Sequence, residues 1–115
     1  MFHKLRRFEK HREEAVIELL PKESNRLLDI ACGEGTLIFK VADNFKELWG
    51  IDISKERIKM ANQEKRKSNL GNVDFKIVDV DQGLPFKDGY FDVITAVAAL
   101  AYFFDPYFVL REIKR

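Results

Sequence analysis

Residues 26–37, RLLDIACGEGTL, read as a buried strand, a tight turn and the start of a helix. Leu27, Leu28 and Ile30 make a short apolar run suited to a parallel strand covered on both faces. Gly33 and Gly35 let the backbone turn where a Cβ would clash, and helical spacing begins at Thr36. A strand that runs through glycines into a helix leaves backbone N–H groups facing the crevice beyond the strand end, which is where open α/β sheets bind ligands.

Downstream of this stretch, Leu37, Ile38, Val41, Ala42 and Phe45 keep the i, i+3, i+4 spacing of an amphipathic helix that ends near Asn44 or Phe45. Residues 47–53, ELWGIDI, follow as a second strand. Ser54 is a good N-cap, Glu56 suits the positive end of a helix, and Lys65, Arg66 and Lys67 suit its negative end, so 55–69 reads as a helix that Gly71 terminates. Its apolar face is thin, consisting of Ile58 and Ala61 with Met60. Alternation over 73–78 gives a third strand, 79–89 a turn-rich loop, and 90–99 a nearly continuous apolar strand carrying Phe91, Val93, Ile94 and Val97. Asp105 and Pro106 signal entry into a last helix, whose apolar stripe is Val109, Leu110 and Ile113.

Upstream, Leu5, Phe8, Ala15, Val16, Leu19 and Leu20 predict an amphipathic helix over 4–20 that stops at Pro21 and packs over the sheet. Strands that alternate with helices imply right-handed βαβ crossovers, hence a Rossmann-like parallel sheet of order 3-2-1-4 with flanking helices. The expectation is one α/β domain over 1–115, with its core in 26–115.

Composition agrees with one globular unit: 115 residues, 46% hydrophobic and 34% charged. A formal net charge of +1 gives no global electrostatic case for nucleic acid or a membrane surface. Lys4, Arg6, Arg7, Lys10 and Arg12 make the N-terminus locally basic, which reads as a solvated helix face. No stretch approaches the about 20 apolar residues of a membrane span, and residues 1–10 lack the apolar region of a secretion signal, so a cytoplasmic protein is expected. Cys32, the single cysteine, excludes an internal disulfide framework, and with only His3 and His11 as histidines no metal site is expected. Cys32 itself reads as a small buried apolar side chain rather than a nucleophile.

The chemistry concentrates in three acids. Asp29, Asp52 and Asp79 fall at or just after the C-terminal ends of the first three strands and, with the Gly33/Gly35 turn, define one crevice. A carboxylate at Asp52 suits both hydroxyls of a ribose, Asp79 suits an exocyclic amine such as that of adenine, and Asp29 favours a cationic ammonium. Each acid has a structural reading as well: Asp79 and Asp81 could turn the loop, and Asp52 could cap the helix after Ser54. The combination at βαβ spacing points to a ligand site, whereas Asp92 reads as structural.

LLDIACGEGTL resembles the first motif of the class I S-adenosylmethionine-dependent methyltransferases, and GYFDVITA resembles their fourth-strand motif. The resemblance runs from about Leu27 to the last residue. It implies S-adenosylmethionine as cofactor, with the glycine turn against its methionine part, the second-strand acid on the ribose and an acid after the third strand on adenine. Carried over by position, it implies Asp29, Ala31, Gly33, Gly35, Asp52 and Asp79 as cofactor-binding residues, with Ile53 and Val80 lining the adenine edges and Ala96 passing close to the cofactor. Ala31 stands where family members often have glycine.

A nicotinamide or flavin dinucleotide fits less well, because the third glycine of G-x-G-x-x-G is missing: Ile38 or Thr36 holds that position, depending on the register. Asp29 and Glu34 would also bring negative charge towards a pyrophosphate. Methyl transfer from a sulfonium needs alignment more than a base, and no base announces itself beyond His11 on the first helix. The family resemblance implies further strands after the last helix, so the chain is expected to be the N-terminal, cofactor-binding half of a methyltransferase acting on an unidentified acceptor. The alternative is a non-catalytic S-adenosylmethionine-binding or assembly module. Such a half exposes the apolar fourth strand beside Tyr102, Phe103, Phe104, Tyr107 and Phe108, which predicts self-association through that edge and residues 100–108.

Overall fold

The computed structural model describes residues 13–96. Four strands, β1 (Ser24–Ile30), β2 (Phe45–Asp52), β3 (Val73–Ile77) and β4 (Val93–Thr95), form one parallel sheet in the order β3-β2-β1-β4. This is the order that the alternation of strands and helices predicts. Between the strands lie α2 (Thr36–Val41) and α3 (Lys55–Ser68), and residues 13–19 form the helix α1 ahead of β1.

Period-2 alternation divides the core between the two faces of the sheet. Val73, Leu48, Leu27 and Val93 stand in one row across the four paired strands. That row is covered by Leu37, Ile38 and Val41 of α2, Ile58 of α3, and Val16 and Ile17 of α1. Leu28, Ile30 and Ile51 face the other way and meet Val80, with Trp49, Leu84, Phe86 and Phe91 around them. Among the described residues, three helices therefore cover one face, and the loop after β3 covers the other.

The approach of α2 and β3 to β2 requires a glycine at position 50. A Cβ there would lie 2.7 Å from both Ile38 Cδ1 and the Phe75 ring, closer than real side chains come. The loop face is tied down by polar contacts at the other end of the strands. Glu47 accepts from Trp49 Nε1 at 2.8 Å, from the Tyr90 hydroxyl at 2.7 Å and from Arg26 Nε at 3.1 Å, and the Arg26 guanidinium sits 4.3 Å over the Tyr90 ring. The Trp49 and Tyr90 hydrogen bonds hold the Glu47 carboxyl below the usual range. Asp92 is structural, as its sequence context suggests: its Oδ2 accepts from Arg26 N at 2.9 Å and its own N–H donates to Arg26 O.

Several boundaries move. α2 stops at Val41, a 3-10 turn spans Ala42–Asn44, and β2 begins at Phe45 because Phe45 pairs with Ser24. The residue that ends α3 is Asn69, in the left-handed conformation at φ 52°, rather than Gly71. Met60 is 47% exposed, since two residues along a helix from Ile58 is about 200° around it. β3 ends at Ile77 and not Val78. The expected helix over residues 4–12, His3, His11, the continuation of the fourth strand, the aromatic segment 100–108 and the last helix lie outside the described residues.

Candidate functional site

Parallel strands all end on the same side, so the sheet gathers Asp29, Asp52 and Asp79 at one edge without any long-range pattern in the sequence. Past Ile30 the chain turns through Ala31 (φ 55°), Gly33 (φ 60°) and Gly35 (φ 87°), three left-handed residues in five. Gly35 N closes the turn on Cys32 O at 3.1 Å, and α2 starts directly after it. The alanine at 31 is thus held in a conformation that glycine adopts without steric cost.

Asp52 is the hub of the site. Its Oδ2 accepts from Gly33 N at 2.8 Å and its Oδ1 from Ser54 N at 2.9 Å, so one carboxylate, 8% exposed, fixes both the glycine turn and the entry to α3. Ser54 does the capping that Asp52 had offered as an alternative: its Oγ accepts from Arg57 N at 3.2 Å. Ile53, between them, is 66% exposed.

Asp29 is 5% exposed and accepts from Thr95 Oγ1 at 2.7 Å. Burial pushes its carboxyl up to about 7; the Thr95 hydroxyl opposes this, and the negative charges of Glu13 and Asp52 add to it. Asp79 turns the loop after β3, its Oδ1 accepting from Asp81 N at 3.1 Å. Val78 N donates to Asp52 O at 2.9 Å and keeps that loop beside Asp52. The Val80 side chain is buried against Leu28, Ile30 and Ile51, and Ala96 follows Thr95 at the end of β4, whose register partner is Asp29. Cys32 is buried as expected, and burial together with the Asp29 and Asp52 charges pushes its thiol far up, which leaves it unreactive.

Two side chains that sequence reasoning passed over belong here. Thr95 orients Asp29, and only the β1–β4 register, a long-range fact, brings them together. Arg57 reaches back from the first turn of α3 over Gly33. Its signal was a cation three residues after a serine cap, where an acid is usual. Among the described residues no group of three or more His, Cys, Asp or Glu side chains could hold a metal ion, and no helix is long and apolar enough to cross a membrane.

A glycine turn linked to strand-end carboxylates is the mark of an α/β protein that binds a nucleoside-containing cofactor, and known proteins narrow the class. A methyltransferase-domain profile matches residues 21–115, and the chain belongs to that family, the class I S-adenosylmethionine-dependent methyltransferases. It is 32% identical over 104 residues to the O-methyltransferase cnsE of Penicillium expansum, covering 89% of this chain and 37% of that protein. The crystal structure of YcgJ from Bacillus subtilis superposes with a TM-score of 0.83 at 30% identity, over 92% of this chain and 45% of that one. The [4+2]-cyclase SpnF superposes with a TM-score of 0.80 at 34% identity, over 90% and 39%. The chain therefore spans less than half the length of these proteins.

Proposed function

We propose that this chain forms, as one domain, the cofactor-binding part of a methyltransferase that transfers a methyl group from S-adenosylmethionine to an acceptor. In this reading Asp29, Ala31, Gly33, Gly35, Asp52, Ile53, Asp79, Val80 and Ala96 make up the cofactor site. The observation that carries it is Asp52. Each of its oxygens takes one backbone N–H, which fixes the carboxylate and leaves a second lone pair on each oxygen for the two hydroxyls of a ribose.

The rest of the donor set fits the same cofactor. Asp79 uses Oδ1 within the loop, and its carboxylate is the acceptor we assign to an exocyclic amine. Exposed Ile53 gives a nucleobase an apolar face, while Val80, its side chain committed to the core, offers mainly backbone. The turn at Ala31, Gly33 and Gly35 presents little side chain, so the amino-acid end can lie against it, and an ammonium there would draw the Asp29 proton off. When bound, the cofactor supplies a methyl group already activated by its sulfonium, so this chain's contribution is to hold and align it.

A second reading has one observation in its favour. Likeness to SpnF, a cyclase by name, is likeness to a fold used for something other than methyl transfer, and a non-catalytic S-adenosylmethionine-binding or assembly module would have the same site. Turnover of methyl-labelled cofactor with a panel of acceptors separates the two. Self-association through the β4 edge and residues 100–108 also belongs to our reading; its support is that β4 is the outermost strand on its side among the described residues. So does a cytoplasmic location.

Calorimetric titration with S-adenosylhomocysteine, with NAD as control, tests the assignment. Binding is expected for the first ligand, and Asp52→Asn should weaken it roughly 10- to 100-fold, the value of charge-assisted hydrogen bonds of about 1.5–3 kcal/mol. Preference for NAD, or affinity indifferent to Asp52→Asn, would overturn it.

A further inference from the structure

Arg57 stands where helix energetics do not favour it. With Ser54 as N-cap it occupies the third helical position, where a Glu or Gln would return a hydrogen bond to the cap and where the positive end of the helix repels a cation. Its guanidinium is turned back over the glycine turn: a Cβ added to Gly33 would be 3.5 Å from Arg57 Nη1. Its charge reaches the Cys32 sulfur, where it opposes the upward push of Asp29 and Asp52. Among the described residues it forms no ion pair. Arg57 is exposed, so a guanidinium held over the turn at the expense of the helix is open to an anionic partner from outside the chain.

We infer that Arg57 binds the carboxylate at the amino-acid end of S-adenosylmethionine; the inference rests on the function proposed above. That end of the cofactor is a zwitterion. Glu34 and Asp52, joined by Asp29 once it ionises, bring negative charge to the turn, which suits the ammonium and repels the carboxylate. A guanidinium beside Gly33 reverses that repulsion locally, and its planar pair of N–H donors matches a carboxylate in a bidentate pair. Arg57 is thus a cofactor-binding residue that sets which half of the ligand the turn accepts.

The test compares S-adenosylhomocysteine with 5′-methylthioadenosine, which has the same nucleoside and no amino-acid end, by calorimetry on the wild-type chain, Arg57→Gln and Arg57→Lys. Arg57→Gln should weaken S-adenosylhomocysteine roughly 10- to 100-fold and 5′-methylthioadenosine by less than about twofold, with Arg57→Lys intermediate for the first ligand. The unliganded Arg57→Gln chain should melt at or above the wild-type temperature, because Gln can complete the capping box, so lost affinity cannot be ascribed to lost folding. Equal weakening of both ligands, or unchanged affinity for S-adenosylhomocysteine, overturns the inference and leaves the proposed function standing. A wild-type chain that binds neither ligand overturns both.

Discussion

Burial of Asp29 has a measurable consequence, because its carboxyl titrates at about 7 in the folded chain against 3.8 when unperturbed. The folded state keeps a proton that the unfolded state releases, so stability from this group falls as pH rises between about 4 and 7 and is level above that. Asp29→Asn keeps an acceptor for Thr95 and removes the titration. Urea unfolding at pH 4.5 and 7.5 should find the variant gaining on the wild type at the higher pH; a constant difference would mean that Asp29 ionises freely. Ala31 makes the second prediction. Its left-handed φ of 55° costs roughly 1–2 kcal/mol for a residue with a Cβ, and glycine gives back about 0.5–1 kcal/mol in unfolded-chain entropy. Ala31→Gly should therefore stabilise by about 0.5–1 kcal/mol, read as a higher denaturation midpoint.

Among the elements, α3 and β2 allow the clearest tests. Ser54→Ala removes the hydrogen bond to Arg57 N and should cost about 1 kcal/mol in denaturant unfolding. Gly50→Ala forces a Cβ to within 2.7 Å of Ile38 and Phe75 and should cost about 1–3 kcal/mol, or block soluble expression, through overpacking. The same two elements mark the limit of what the sequence makes legible. Ser54 as cap, the glycine turn and the 3-2-1-4 order follow from residue type, spacing and crossover handedness, all local or topological rules. Thr95 against Asp29 and Phe45 opposite Ser24 depend on register between strands far apart in sequence, which no local rule supplies. Asn69 in place of Gly71 at the end of α3 reflects two residues that both tolerate the left-handed conformation, and spacing does not choose between them. The left-handed φ of Ala31 is not legible in the sequence, because composition does not carry φ.

Among the described residues, helices cover one face of the sheet while aromatic loop residues cover the other, and β4 lies at the border of the described sheet. Sedimentation over a range of concentrations tests the proposed self-association: mass above that of one chain, rising with concentration, is expected, and a monomer throughout rejects it. The loop face also carries the chain's single tryptophan. Trp49 is tied by its indole N–H to Glu47 and stands edge-on to Phe86 at 5.5 Å between ring centres. Nature has thereby wired a fluorescent gauge into the loop-covered side and left the helical side dark. Emission that reddens before far-ultraviolet circular dichroism is lost would reveal that the loop lifts away while the helices still hold, and would turn one dye already in the chain into a clock for the order in which its two faces come apart.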